Sequence, residues 1–187
     1  MARMNRVSVP DGTYHVTSRI VNREMWLNDP GLKDEIVSWI YGVAAFSGVE
    51  LLAYVAMGNH FHAVVRVTRT DVPVPEGELV RRVGVLRGEK AMRELSGRWD
   101  DLVAAGFDAT LREEQDRLRA RMHDISEFVK LFKEEFDRIY KRDRKYCGSI
   151  WSGRFASTLI EDGEYLARCV RYVVYNPVRA GIVTRAG

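Results

Sequence analysis

Two runs of strand-forming residues on either side of a tight turn constrain the fold of this chain more than any other feature. The runs VELLAYVA (49–56) and HFHAVVRV (60–67) are rich in β-branched and apolar residues, which favour strands. Gly58 and Asn59 between them are typical of a turn. The sequence therefore predicts that the two runs pair as an antiparallel hairpin.

A strand and a helix are predicted before this hairpin. Residues 12–21, GTYHVTSRIV, have the β-branched and aromatic composition of a strand. The segment Asn28-Asp29-Pro30 is a helix start signal. Apolar residues then recur with a helical period until Gly48. The chain is thus expected to begin with the order β-α-β-β.

The C-terminal third predicts a further α-β-α unit. A helix over 124–142, with Ser126 as a plausible N-cap, presents one apolar face, and residues 154–160 form a fourth strand. A last helix begins at residue 162 or 163. It is expected to end near Asn176, because Pro177 disfavours helical geometry in the residue before it.

The order of these elements contains the split βαβ pattern. It predicts an α+β fold of the ferredoxin-like type, with an antiparallel sheet and helices on one face. Residues of about 70–123 are charged and helical in character, and pairs such as those in LREEQDRLRARM support an exposed helix. We interpret them as a surface helical insertion within a single domain of residues 1–187.

Composition excludes several classes of protein. The chain is 46% hydrophobic with a net charge of +3, which is typical of a globular protein and permits a polyanionic partner without requiring one. No apolar run approaches the roughly 18 to 20 residues of a membrane span, and the basic N-terminus lacks the apolar region of a secretory signal. Only Cys147 and Cys169 are present, so we expect a cytoplasmic protein with reduced thiols.

His60 and His62 are the first candidate functional residues. Alternate side chains of a strand share a face, so the two imidazoles project together and Phe61 projects to the opposite side. Two neighbouring imidazoles could form half of a coordination shell for a divalent metal. The alternative is that both histidines only make hydrogen bonds within the fold, and the pair alone does not decide between these interpretations.

Tyr172 and Asn176 are four residues apart on the last predicted helix and therefore share a face. An amide oxygen is a hard ligand suited to magnesium or manganese, and a tyrosine can serve as a covalent nucleophile. Tyr165 and Tyr175 lie on the same helix and compete for this role. A tyrosine at helical spacing is also common as a packing residue.

Four segments taken together resemble the REP-associated tyrosine transposases, which belong to the HUH (histidine–hydrophobic–histidine) single-tyrosine transposases. They are YHVTSRIVNRE, AYVAMGNHFH, IWSGRFASTLI and RYVVYNPVRAGIV. The resemblance covers roughly residues 10–67 and 124–183. Two departures are Gly58, where the family commonly has proline, and the insertion, where simpler relatives have a short connection.

The resemblance implies a set of roles in an enzyme of the HUH endonuclease fold. His60 and His62 would bind Mg²⁺ or Mn²⁺, Tyr172 would be the nucleophile, and Asn176 would be the third metal ligand. The implied activity is cleavage and rejoining of single-stranded DNA at hairpin sequences through a 5′-phosphotyrosine intermediate, in a bacterial cytoplasm. The protein could act as a monomer or as a homodimer.

Two other functions are compatible with such a fold. The chain could be a non-catalytic regulator that binds structured DNA, which the intact HFH motif and Tyr172 disfavour. It could instead be another HUH nuclease, such as a plasmid relaxase or a replication initiator, which the NPVRAG segment disfavours.

DNA contacts are expected from basic and aromatic side chains, because single strands bind in basic grooves with aromatic platforms. Trp151 has the alternative role of packing the sheet, and His15 on the first strand is interpreted as structural, with a role in the site left open. The candidate DNA-contacting residues are Arg19, Arg23, Lys145, Trp151, Arg154 and Arg179.

Overall fold

A four-stranded antiparallel sheet forms the centre of the protein. The computed structural model describes residue 9, residues 11–68 and residues 70–185. The strands are β1 (Thr13–Arg19), β2 (Val49–Ala56), β3 (His60–Val67) and β4 (Ala156–Ile160). Their spatial order is β2-β3-β1-β4, and every neighbouring pair is antiparallel. The predicted hairpin and the predicted ferredoxin-like α+β fold are both confirmed.

Six helices surround this sheet in the described part of the chain. The first begins where the sequence signals it, since the Asp29 carboxylate accepts a hydrogen bond from the Leu32 amide and Pro30 lies in the first turn. It ends at Gly48, whose φ of 64° is left-handed. The helices are α1 (Pro30–Ser47), α2 (Glu76–Arg87), α3 (Glu89–Ala104), α4 (Asp108–Arg119), α5 (Ile125–Arg144) and α6 (Gly163–Arg179).

The main hydrophobic core lies between α1, α5 and one face of the sheet. Alternation along β1 and β3 sends Tyr14, Val16 and Phe61 to this face, where all three are buried. Phe61 meets Phe132 of α5 with ring centroids 4.8 Å apart. This packing fixes β3, and with it the direction of the side chains on the other face.

The opposite face of the sheet is covered by α6, so the expectation of helices on one face is wrong. Val173 and Cys169 of α6 are buried in a second, smaller cluster with Val64 of β3, Ala53 of β2 and Ile160 of β4. The apolar stripe of α6 needs a surface to cover it. The only sheet face left by α1 and α5 is the one that carries the two histidines of β3.

The insertion consists of three helices, α2, α3 and α4. It was interpreted as a surface feature, but Leu79, Trp99 and Leu111 are buried and continuous with the main core. Trp99 also donates a hydrogen bond from Nε1 to the Glu114 carboxylate over 3.1 Å. These helices pack beside α1 and away from α6, so they do not cover the histidine face.

Several predicted element boundaries are corrected by the structure. The N-cap of α5 is Asp124 and not Ser126, since the Asp124 carboxylate accepts from the amides of Ser126 and Glu127. Helix α6 continues through Pro177 to Arg179. A proline removes one backbone donor, but Pro177 lies within one turn of the helix end, and the next bonds, including that from the Ala180 amide to the Asn176 carbonyl, are kept.

The first and last strands in the sequence are shorter than expected: β1 spans Thr13–Arg19 and β4 spans Ala156–Ile160. Within the described residues, no helix combines the length and the apolar character needed to cross a membrane.

Candidate active site

The two histidines of β3 lie side by side on the α6 face of the sheet. Their ring centroids are 5.0 Å apart and their planes are nearly perpendicular, at 80°. His62 is 7% exposed and His60 is half-buried near the start of the strand. Because Phe61 is anchored in the core on the other face, the direction of both imidazoles follows from the pleat of β3.

Tyr172 of α6 stands directly beside this pair. Its ring lies 5.6 Å from the His62 ring, measured between centroids, at an interplanar angle of 89°. The adjacent Val173 is fully buried against the sheet, while Tyr172 keeps 39% of its surface exposed. The helix is thus fixed by its apolar side and presents a solvent-accessible phenol at the histidine pair. Neither Tyr165 nor Tyr175 has a ring contact with a histidine in the described residues.

His15 of β1 belongs to the same cluster, although the sequence favoured a structural role for it. Its Nε2 lies 3.0 Å from Nδ1 of His62, and the two rings meet edge to edge with centroids 5.1 Å apart and planes inclined by 20°. Its ring also meets that of Tyr172 edge-on at 6.0 Å. Antiparallel pairing of Thr17 with His62 places the odd-numbered residues of β1 on the histidine face. The sequence does not specify this register, which is why His15 could not be assigned to the site before the structure was known.

One ring nitrogen of each β3 histidine is held by a neighbouring side chain. Nδ1 of His60 is 2.7 Å from Oδ1 of Asn59, and Nδ1 of His62 is bound to His15. Asn59 is itself fixed, because its Nδ2 donates to the backbone carbonyl of Arg23 over 3.1 Å. Within the described residues, Nε2 of neither β3 histidine has a hydrogen-bond partner. Both Nε2 atoms are therefore available to a ligand.

The electrostatic environment keeps these imidazoles neutral. Burial, followed by the neighbouring His15, His60 and Arg19, lowers the pKa of His62 to about 4. Burial and then Arg19 lower the pKa of His60, and burial lowers that of His15. A neutral imidazole has a lone pair for a metal ion and a protonated one does not.

These features fit a divalent metal ion with the β3 histidines as two of its ligands. Two imidazoles that bind one ion through nitrogens at about 2.1 Å have ring centroids roughly 5 Å apart, as His60 and His62 have. Among the described residues, no group of three His, Cys, Asp or Glu side chains could hold a metal. Asn176, the third ligand that the resemblance implies, is half-buried one turn beyond Tyr172 on α6.

Basic side chains of α6 surround Tyr172. The guanidinium carbon of Arg179 lies 5.7 Å from the centroid of the Tyr172 ring. Arg168, Arg171 and Arg179 line an open cavity of about 600 Å³ together with Tyr172 and Tyr175. Arg168 forms an ion pair with Glu164. The charge of this surface and its exposed aromatic ring are the features that single-stranded nucleic acids require.

Apart from Trp151, the predicted DNA-contacting residues fall into three groups. Arg19 and Arg179 flank the histidine–tyrosine cluster, opposite His60 in the β1–β3 register and beside Tyr172 respectively. Arg23 is exposed beyond the end of β1, and its backbone carbonyl accepts the hydrogen bond from Asn59 that holds the partner of His60 in place. Lys145 and Arg154 are exposed at the end of α5 and before β4, and among the residues that the structure describes no contact links them to the histidines.

Trp151 fits its packing alternative better than a role as a base-stacking platform. It is 7% exposed, lies among Phe61, Phe132 and Phe136, and donates a hydrogen bond from Nε1 to Asp137 over 2.7 Å. Its ring lies on the α5 side of the sheet, away from the histidine face, so packing is the interpretation that the structure favours.

Comparison with known proteins gives a match only at the level of three-dimensional structure. No protein-family model matches the sequence, and no curated protein matches it. The chain superimposes over 99% of its length on a REP-associated tyrosine transposase bound to a REP hairpin, with a TM-score of 0.61 and 17% sequence identity, covering 78% of that protein.

A second solved structure is a putative transposase from Deinococcus radiodurans R1. The match has 14% identity, covers 94% of this chain and 97% of that one, and has a TM-score of 0.42, which is too low to support an inference. The resemblance predicted from the four sequence segments is thus matched by the first comparison, and the chain has the fold of a REP-associated tyrosine transposase.

Proposed function

We propose that this protein is a metal-dependent DNA strand transferase that cuts and rejoins single-stranded DNA at hairpin-forming, REP-like sequences. The observation that carries the proposal is the contact of Tyr172 with His62, whose ring in turn meets that of His60. Tyr172 and His62 come from different elements and are more than a hundred residues apart in the sequence. A tyrosine that only packs would not need two neutral imidazoles with accessible nitrogens beside it. The fold shared with a hairpin-bound transposase agrees with the proposal.

Tyr172 acts as the nucleophile in this proposal. Its phenolic oxygen loses a proton and attacks the scissile phosphorus, the bond from phosphorus to the 3′ oxygen breaks, and that oxygen gains a proton. The products are a 5′-phosphotyrosine and a free 3′-hydroxyl. The reverse reaction with a different 3′-hydroxyl rejoins strands, so no high-energy cofactor is consumed. Such a transfer requires mainly alignment and neutralisation of charge.

The proposed ligands of the metal, Mg²⁺ or Mn²⁺, are Nε2 of His60, Nε2 of His62 and the amide oxygen of Asn176. When bound, the ion supplies positive charge that polarises the phosphate and stabilises the leaving oxygen. Asn59 and His15 hold the Nδ1 side of each imidazole, so the chain presents both ligand nitrogens in fixed orientations.

The arginines of α6 bind the DNA backbone next to the scissile phosphate in this proposal. Arg179 and Arg171 supply charge on the exposed side of Tyr172, and Arg19 supplies it from the sheet side. Tyr175, which is exposed on the same cavity, offers a ring on which one base can stack. Lys145 and Arg154 are proposed to contact the more distant duplex part of a hairpin.

One chain carries all of the proposed parts. Tyr172 reaches the histidines of its own sheet because α6 packs on that sheet through Val173 and Cys169. The proposed active unit is therefore a single chain with one domain, in which the insertion of about 70–123 is an integral part of the core.

The proposal is tested by incubating the protein with a labelled single-stranded oligonucleotide that contains a REP-like hairpin, with Mn²⁺. A denaturing gel should show a cleaved strand and a slower protein–DNA adduct, and both should disappear when a chelator is added. Tight binding of the hairpin without cleavage, with either Mg²⁺ or Mn²⁺ present, would instead support the alternative that the protein is a non-catalytic regulator that binds structured DNA.

A further inference from the structure

The contact between His15 and His62 is more than packing between two rings. The two side chains lie on neighbouring strands with Nε2 of His15 3.0 Å from Nδ1 of His62. Their ring planes are inclined by only 20° with centroids 5.1 Å apart, so the two rings meet edge to edge, as an N–H···N hydrogen bond requires. We propose that His15 is a positioning residue for His62: it accepts a hydrogen bond from Nδ1–H of His62 and thereby holds that imidazole with Nε2 directed at the metal. This inference rests on the proposed function.

The direction of the hydrogen bond follows from the chemistry of imidazole. A neutral ring has one proton, and the nitrogen that binds a metal cannot carry it. If His62 binds through Nε2, its proton is on Nδ1, and Nδ1 is the donor. Nε2 of His15 must then be the acceptor, so the proton of His15 is on its own Nδ1. The pair therefore has one defined tautomer on each ring.

The backbone around His15 is well placed for this role. β1 is a central strand, and His15 pairs with Val64 of β3 on one side and with Thr158 of β4 on the other. Ladder hydrogen bonds on both edges restrict the movement of its backbone. A partner whose backbone is held on both sides can keep the His62 ring at a fixed angle.

The same ring reaches the proposed nucleophile. His15 meets Tyr172 edge-on with centroids 6.0 Å apart, while His62 meets it at 5.6 Å. Tyr172 therefore lies against both members of the histidine pair. A change at His15 is expected to disturb the metal ligand first and the position of the phenol second.

The test is the affinity of the full-length protein for Mn²⁺, measured from the electron paramagnetic resonance signal of the free ion. His15→Phe keeps a ring but has no acceptor, whereas His15→Gln offers an amide oxygen. We expect His15→Phe to raise the Mn²⁺ dissociation constant by about 10- to 100-fold, the usual effect of removing a residue that hydrogen-bonds to a metal ligand. His15→Gln should restore most of the lost affinity. The melting temperature without metal is measured for both variants as a separate indicator of folding.

Three results separate the possibilities. Wild-type affinity in His15→Phe, or equal weakening in both variants, would overturn the positioning role. Absence of Mn²⁺ binding by the wild-type protein would overturn the metal site itself and the inference with it. If His15→Phe does not fold, nitrogen-15 NMR of the imidazoles in the metal-free wild-type protein decides: a proton on Nδ1 of His62 supports the inference, and a proton on Nε2 contradicts it.

Discussion

The ring of Tyr172 on α6 stands nearly perpendicular to the imidazole of His62 on β3, at 89°, with the ring centroids 5.6 Å apart. This relationship depends on the packing of α6 on the sheet, because Val173, the next residue, is fully buried beside Val64. The position of the phenol is therefore set by core contacts rather than by a mobile loop. The proposed chemistry requires such pre-organisation.

Replacing Tyr172 with phenylalanine should abolish cleavage and adduct formation. The change removes one oxygen and leaves the aromatic contacts with His62 and Arg179. We expect the cleavage rate to fall at least about a thousandfold, as when other covalent nucleophiles are removed, with hairpin affinity unchanged in a filter-binding assay. Tyr175→Phe, on the same helix and the same cavity, is the matched control and should still cut. Cleavage by Tyr172→Phe at the wild-type rate would exclude Tyr172 as the nucleophile.

Mixing two inactive variants should not restore activity. Tyr172 and His60 of one chain are proposed to act together, so a mixture of Tyr172→Phe and His60→Ala contains no intact site. If chains instead exchanged their α6 helices, a mixed dimer would contain one complete site and cleavage would return. The measurement is adduct formation by the mixture after refolding together, and recovery of more than background would contradict the single-chain proposal.

His60→Ala should weaken metal binding with little effect on folding. His60 is half-buried at the start of β3, and its loss removes one proposed ligand. We expect the Mn²⁺ dissociation constant to rise by more than about tenfold, measured by isothermal titration calorimetry. His123→Asn is the control, because His123 binds the Thr68 carbonyl and asparagine tolerates its left-handed backbone. Equal weakening in both variants would indicate non-specific metal binding.

Arg179→Gln should weaken binding of single-stranded DNA in a salt-dependent manner. If Arg179 neutralises one phosphate, its loss reduces the slope of log affinity against log salt by about 0.7. Arg93→Gln changes the charge equally on α3 of the insertion, where Arg93 is exposed and pairs with Glu89. Fluorescence anisotropy at several salt concentrations compares the two. An unchanged slope for Arg179→Gln, or the same change for Arg93→Gln, would count against a specific contact.

Trp99→Ala should destabilise the whole protein rather than the insertion alone. Trp99 is fully buried in a cluster that is continuous with the sheet core. Truncation of a buried tryptophan costs about 3–5 kcal/mol, whereas Val103→Ala on the exposed side of the same helix should change stability by less than about 0.5 kcal/mol. Urea denaturation should remain a single transition at a lower midpoint. Two separate transitions, only one of them shifted, would show that the insertion unfolds independently.

The parts of the fold that were predictable have strong local signals. The bounds of β2 and β3 are as predicted, because β-branched residues fill both strands and a turn separates them. α1 is also set locally, by Asp29 and Pro30 at its start and Gly48 at its end. The histidine pair on one face needs only the alternation of side chains along a strand.

The parts that were missed depend on long-range contacts. His15 enters the site because β1 pairs with β3 and β4. The alignment of these strands cannot be derived from the sequence alone. Trp99 and Leu79 are scattered among charged residues, so their joint burial was hidden in a weakly amphipathic pattern. The sheet face that α6 covers likewise depends on which face α1 and α5 leave free, and this becomes known only when the whole fold is known.

The most direct test is to identify the residue that becomes attached to DNA. The protein would be incubated with the hairpin oligonucleotide and Mn²⁺, digested with protease and nuclease, and analysed by mass spectrometry. We expect a nucleotide 5′-phosphate on Tyr172, in a peptide from α6, and none when a chelator is present. Attachment to Tyr165 or Tyr175, or cleavage with no attached nucleotide, would contradict the proposed mechanism.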